Sequence, residues 1–130
     1  MSEENIQILR RGFEHWNRTG TLDTDLFAPD AVLDNSEGII DPGVHRGPEA
    51  IAEYAAALTA IWTSQRVEPE ELIPVGPNRV LVPQKIVSIG RDGIEVVART
   101  TSVFTLQDDK VIHWKTFQSK EEALESVGLK

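Results

Sequence analysis

Ile6, Leu9, Phe13 and Trp16 recur at three- and four-residue intervals near the start of the chain, the spacing of one helix face. The pattern predicts an amphipathic helix from about Ser2 to Arg18, with Ser2 as N-cap, acidic residues in the first turn and Thr19-Gly20 as the stop. A short helical turn is expected at Leu22 to Phe27, broken by Pro29-Asp30. AVLDN, Ala31 to Asn35, is strand-like but brief. From Ser36 to Gly47 the chain holds three glycines and Pro42, which predicts a loop.

Helical spacing then returns. Ile51, Tyr54 or Ala55, Leu58, and Ile61 or Trp62 form an apolar stripe to about Ser64. In the stretch VHRGPEAIAEY, Gly47 suits the N-cap and Pro48 the first helical position, where its missing N–H would go unpaired anyway. Glu49 favours the positive end of the same helix. Its alanines let the helix lie close to whatever it covers.

Beyond Val67 the texture changes. RVEPEELIPV, RVLVPQKIVSI, EVVARTTSVFTL and KVIHWKTFQ are strand candidates rich in β-branched residues. The turns between them, GPN, GRDG and QDD, are short enough for antiparallel hairpins. A last helix is expected from Lys120 to Val127, closed by Gly128-Leu129 in a Schellman-type end. Helices first and a strand meander later define an α+β fold in one domain spanning residues 1–130.

The strands carry apolar residues on both faces. Val82 and Ile86 lie on one side of their strand, Val87 and Ile89 on the other; Phe104 and Leu106 oppose Val97 and Val103. A sheet covered on one side only would alternate cleanly, so both faces are expected to be at least partly buried. The helices can cover one. A second copy of the chain is the expected cover for the other, giving a homodimer through the outer sheet face.

Composition narrows the classes of function. The net charge of −8, from 21 acidic and 13 basic residues without a basic cluster, argues against nucleic acid, whose phosphates call for grouped Lys and Arg. The absence of cysteine removes disulfides and thiolate chemistry. MSEENIQILRR has no basic-then-apolar leader, and no apolar run approaches the roughly 18 residues of a membrane span, so a cytoplasmic protein with no membrane partner is expected. No HxH or HExxH spacing suggests a metal, no glycine-rich phosphate loop suggests a nucleotide, and no serine sits in a nucleophile elbow. Neither metal nor cofactor is therefore expected.

The order of these elements, with VHRGPEAIAEY, RVEPEELIPVGPNRVLV and the tail DDKVIHWKTFQSKEEALESVGL, resembles the nuclear-transport-factor-2-like superfamily. Within it the chain looks most like the SnoaL-like domain proteins, relatives of polyketide cyclases and ketosteroid isomerases. The resemblance covers nearly the whole chain. It implies a cone: a curved antiparallel sheet wrapped around the N-terminal helices, with an open mouth. The loop before Gly47 would form part of the rim and the helix from Pro48 one wall.

The resemblance also offers positions for chemistry. Relatives similar to ketosteroid isomerase use a carboxylate near the end of the first strand as base, with a helix tyrosine and a protonated strand aspartate as oxyanion donors. By flanking pattern the base falls at Asp34 or Asn35, the tyrosine near Gly12 and the aspartate near Ser102. A base can survive, while both oxyanion donors are gone. If Asp34 enters an apolar pocket, desolvation would raise its pKa toward general-base work; otherwise Asp34 or Asn35 caps the following loop in an Asx-turn, the reading favoured for Asn35. Arg99 falls on the outer face, where an ion pair or interface contact is the expected role.

A pocket inventory follows from strand parity. With Ser102 and Trp114 pointing inward, Val82, Gln84 and Ile86 join them from one strand, Thr100 and Phe104 from the next, and Thr116 and Gln118 from the last. Trp16, Tyr54, Leu58 and Trp62 would close the pocket from the helices, and His45 stands at the rim. Such walls suit a small apolar ligand or substrate. One expected function is a cofactor-free isomerase, cyclase or dehydratase with Asp34 as base and Tyr54, Gln84 or Ser102 orienting the substrate. The others are a non-catalytic binder of an apolar metabolite, walled by Trp62 and Trp114, and a dimeric interaction module.

Overall fold

The β-branched runs of the second half become hairpin-linked strands: β5 (Arg79–Ile89), β6 (Glu95–Gln107) and β7 (Lys110–Phe117). The computed structural model describes residues 2–37 and 42–129. Before these strands come α1 (Ser2–Thr19), β1 (Phe27–Asn35), β2 (Gly43–Arg46), α2 (Pro48–Thr59), β3 (Ser64–Pro69) and β4 (Ile73–Val75); α3 (Lys120–Ser126) follows them. α1 begins at Ser2 itself, so Ser2 is its first residue and not a cap outside it. The helical turn expected before β1 is a short 3-10 segment, Thr24–Leu26.

Several boundaries differ from the sequence expectation, each for a physical reason. β1 starts at Phe27, ahead of Pro29-Asp30, and its register against β7 shifts between Phe27 and Val32. That irregularity lets the strand carry a proline, which has no N–H for a ladder. Part of the expected loop is β2, paired antiparallel with β1 through Leu33 and His45; residues 38–41 of that loop lie outside the described ones. α2 stops at Thr59 and not Ser64, because Thr63 N–H donates to Ile89 O at 2.7 Å and Ser64 pairs with Ile89 to open β3. RVEPEELIPV divides into β3 and β4, both lying against β5.

The strands form one sheet in the order β2-β1-β7-β6-β5-β3, with β4 pairing β5. Every junction is antiparallel except β1 with β7, which is parallel, so the curved sheet is mixed. Its inner face presents Val80, Val82, Phe104, Leu106 and Val111 to Leu9 of α1 and to Ile51 and Tyr54 of α2. On the outer face, Leu81, Val103 and Phe117 pack beneath Ala123 of α3 and Val127 just after it. The second apolar face that the strand pattern revealed is thus covered in part by this chain's own last helix.

α3 is held at both ends. Ser119 Oγ accepts Glu122 N–H at 3.1 Å, and Leu129 N–H returns to Leu124 O at 2.9 Å past Gly128, whose φ of +77° suits glycine. No helix of the described residues is long and apolar enough to cross a membrane.

Candidate functional site

α1 and α2 lie against the inner face without filling it. A cavity of about 340 Å³ remains between them and strands β1, β3, β5, β6 and β7. The inward-facing residues of β6 locate its ends: Phe104 and Ser102 are buried, Thr100 is half-buried and Ala98 is exposed. The floor is therefore at Phe104 and the mouth near Ala98.

Aromatic rings build the floor. Phe104 stacks on Trp114 at 5.2 Å between centroids, Trp114 stacks on Phe27 at 6.1 Å, and Phe13 meets Phe104 edge-on at 6.2 Å. Flat rings at these separations make rigid, dispersion-rich walls. Leu58 and Trp62 line the α2 side, and Ile86 the β5 side. Trp62 lies beyond the end of α2, in the turn that follows it, yet still reaches the cavity.

Polar side chains are few and mostly tied. Asn35 donates through Nδ2 to the Tyr54 hydroxyl and accepts from Thr116 Oγ1, so β1, α2 and β7 share one hydrogen-bonded cluster on the cavity wall. The His45 ring stacks on Tyr54 at 3.9 Å from behind. On the opposite wall, Gln84 Nε2 donates to Thr100 Oγ1 and Ser102 Oγ, each at 3.1 Å. Ser102 Oγ also accepts from Trp114 Nε1 at 3.0 Å.

Two polar atoms on lining residues have no partner among the described residues: Gln84 Oε1 and Trp16 Nε1, both closed to solvent. Each such atom costs about 1–3 kcal/mol of lost hydration. Natural interiors keep few of these, so each calls for a specific explanation.

Of the residues expected at the pocket, Trp16, Tyr54, Leu58, Trp62, Gln84, Ile86, Thr100, Phe104, Trp114, Thr116 and Gln118 line it. Val82 and Ser102 share their face but are completely buried, packed among neighbours and not at the cavity surface. His45 supports Tyr54 and does not line the cavity. The reading missed Gln65 and Ala98, together with the α1 residues Leu9, Gly12 and Phe13, and favoured a turn for Asn35, which lines the cavity.

Asp34 requires a correction. Its side chain leaves the opposite face of β1 from Asn35, as neighbours on a strand must. There Oδ1 accepts Ser36 N–H at 3.0 Å in an Asx-turn, and Lys115 Nζ stands 4.0 Å from Oδ2. Lys115 also pairs with Glu37 at 3.4 Å and sits 5.0 Å over the Phe117 ring. Of the two roles weighed for Asp34 the structure shows the Asx-turn, while Asn35, for which the turn was favoured, faces the cavity.

Hydrogen bonding from Ser36 holds the Asp34 pKa below its ordinary value of 3.8, with smaller help from the charges of Lys115 and His113 and some opposition from burial. A depressed carboxylate pKa contributes stability above its unfolded value, and that contribution disappears as pH falls through the folded value. Asp34→Asn is thus expected to lower stability modestly at pH 7 and to match the parent in strong acid. Urea midpoints across the acid range give the comparison, and a gap that widened toward low pH would contradict it.

Among the described residues, no carboxylate, imidazole, ammonium or guanidinium group lines the cavity, and Tyr54 is its one titratable side chain. Arg99 points outward and pairs with Glu70 at 3.4 Å. Fold and site together define a curved sheet, closed by helices, around a neutral aromatic-walled chamber.

The SnoaL-like domain matches residues 9–114, well over half of the chain, and the protein belongs to that family. Among solved structures, Bal32a from a soil-derived mobile gene cassette superposes with a TM-score of 0.78 at 21% identity over 97% of each chain. TerC, co-crystallised with polyporic acid, gives 0.74 at 18% identity over 95% of this chain and 98% of its own. An NTF2-like protein of unknown function from Burkholderia pseudomallei gives 0.74 at 16% over 96% and 98%. Likeness at these identities establishes the fold and no more. No curated protein matches the sequence significantly.

Proposed function

We propose that this protein binds a small, uncharged, largely apolar molecule in the chamber and performs no proton-transfer chemistry on it. The observation that carries this reading is the lining itself: aromatic and aliphatic walls, several amides and hydroxyls, and no ionic side chain among the described residues. Moving a charged ligand from water into such walls without a counter-ion costs far more than its contacts return. A neutral ring compound meets no such penalty, and about 340 Å³ lies at the small end of ligand sites, which span roughly 300–1,000 Å³.

The isomerase, cyclase or dehydratase reading depended on a base. At the end of the first strand the cavity receives Asn35, an amide, which takes no proton at neutral pH. TerC, co-crystallised with polyporic acid, is a precedent for this fold meeting a small organic molecule. Binding without turnover is the reading these features support.

All three tryptophans of the chain line the chamber, so intrinsic fluorescence reports on its contents. Titration with naphthalene is expected to quench it saturably, while naphthoate at pH 7 leaves it unchanged. Equal or tighter binding of the carboxylate would remove the proposal.

A further inference from the structure

Hydrogen-bond arithmetic on the β5 wall does not close within the protein. Gln84 is 5% exposed, and both protons of its amide nitrogen are spoken for by Thr100 and Ser102. Ser102 Oγ additionally takes the Trp114 indole proton. The Gln84 oxygen is left over. Turning the amide about its last bond does not cure the mismatch: the two hydroxyls could then donate to the oxygen, but the nitrogen and its protons would be left instead. One end of this amide is unmatched in either orientation.

Trp16 has the same deficiency. Its Nε1–H is buried with no partner, on a residue that lines the same chamber. The neighbouring residue fixes the helix there: Asn17 donates to Val67 O at 2.8 Å and accepts Val67 N–H at 2.9 Å. Val67 pairs with Ile86, two residues along β5 from Gln84. The unmatched indole and the unmatched amide thus belong to the α1–β3–β5 side. On the β1–α2–β7 side, Asn35, Tyr54 and Thr116 already bond to one another.

Building on the neutral-ligand reading above, we infer that the ligand is a hydroxylated ring compound whose polar end lies against Gln84 and Trp16. A hydroxyl both donates and accepts, so it satisfies the Gln84 amide in either orientation and offers an oxygen to the indole N–H. The ring system then lies across the Phe104–Trp114 floor. Gln84 is in this account the residue that sets specificity, and a bare hydrocarbon of equal size leaves it unserved.

The experiment compares naphthol with methylnaphthalene, two probes of nearly equal shape, by calorimetric titration of the full chain. Naphthol is expected to bind the parent protein at least about tenfold more tightly, the scale of one buried neutral hydrogen bond gained against a group left unpaired. In Gln84→Met, an unbranched replacement of similar length, the gap is expected to close while methylnaphthalene affinity holds or improves. Trp16→Phe, which keeps a ring and removes the N–H, is expected to narrow the gap independently and covers the case in which Gln84→Met fails to fold. Methylnaphthalene binding as tightly as naphthol in the parent would overturn this inference alone. An undiminished naphthol preference in either folded variant would overturn it too. Failure of both probes to bind would overturn the neutral-ligand reading, and this inference with it.

Discussion

Replacing Ala98 with tryptophan is expected to close the mouth of the chamber and nearly abolish binding of neutral ring compounds, with the fold retained. Ala98 stands on the inward face of β6 opposite Ile86, lines the cavity and is itself exposed. A large ring there has room outward and suits a strand, so stability should change little. Inward, it occupies the entrance. A ligand denied about 100 Å² of apolar contact loses roughly 2.5 kcal/mol, close to a hundredfold in affinity. Calorimetric titration is the suitable readout, since the new indole would confuse fluorescence. Retained affinity in the folded variant would mean that the entrance lies elsewhere.

The second large effect concerns stability. Leu9 is 1% exposed, belongs to the inner core and also borders the chamber. Leu9→Ala is expected to cost about 2–5 kcal/mol, toward the upper part of that range, because a wall between an existing void and packed side chains cannot collapse inward. For a chain of this size such a loss lowers the melting temperature by roughly 10 °C or more. A shift of only a degree or two would show that α1 relaxes onto the sheet. The chamber would then be a soft feature, unable to hold unmatched polar groups in place.

The parts legible in the sequence were those with long, regular periodicity. α1 and strands β5, β6 and β7 emerged close to their true limits because apolar spacing and turn residues agreed there. β2 was invisible: GVHR is four residues long, with no apolar alternation, and forms a strand only because β1 lies beside it. The parallel contact of β1 with β7 was equally hidden, since local pattern says nothing about partners distant along the chain.

At the site, strand parity identified the inward face of β5, β6 and β7 but could not measure depth. Val82 and Gln84 share a face; one vanishes into the core and the other borders the void, a difference that alternation along a strand does not encode. The misplacing of Asn35 in the turn, and not on the cavity wall, has another origin. A slip of one residue turns every side chain of a strand to the other face. With only AVLDN recognised, nothing anchored that register. Phe27, the start of β1 that could have anchored it, was concealed behind Pro29-Asp30.

The parallel junction has a consequence for synthesis on the ribosome. Asn35 and Thr116, joined across the chamber wall, are 81 residues apart in sequence. α1, β1 and α2 therefore leave the exit tunnel well before the strand that completes their surroundings, with Leu33 and Tyr54 lacking their final neighbours. Contacts between segments so distant along the chain form late and slowly, because closing the long intervening loop must come first. The nascent chain is most in need of protection from self-association just before β7 emerges, so a truncation ending ahead of Lys110 should be far stickier than one that merely lacks α3.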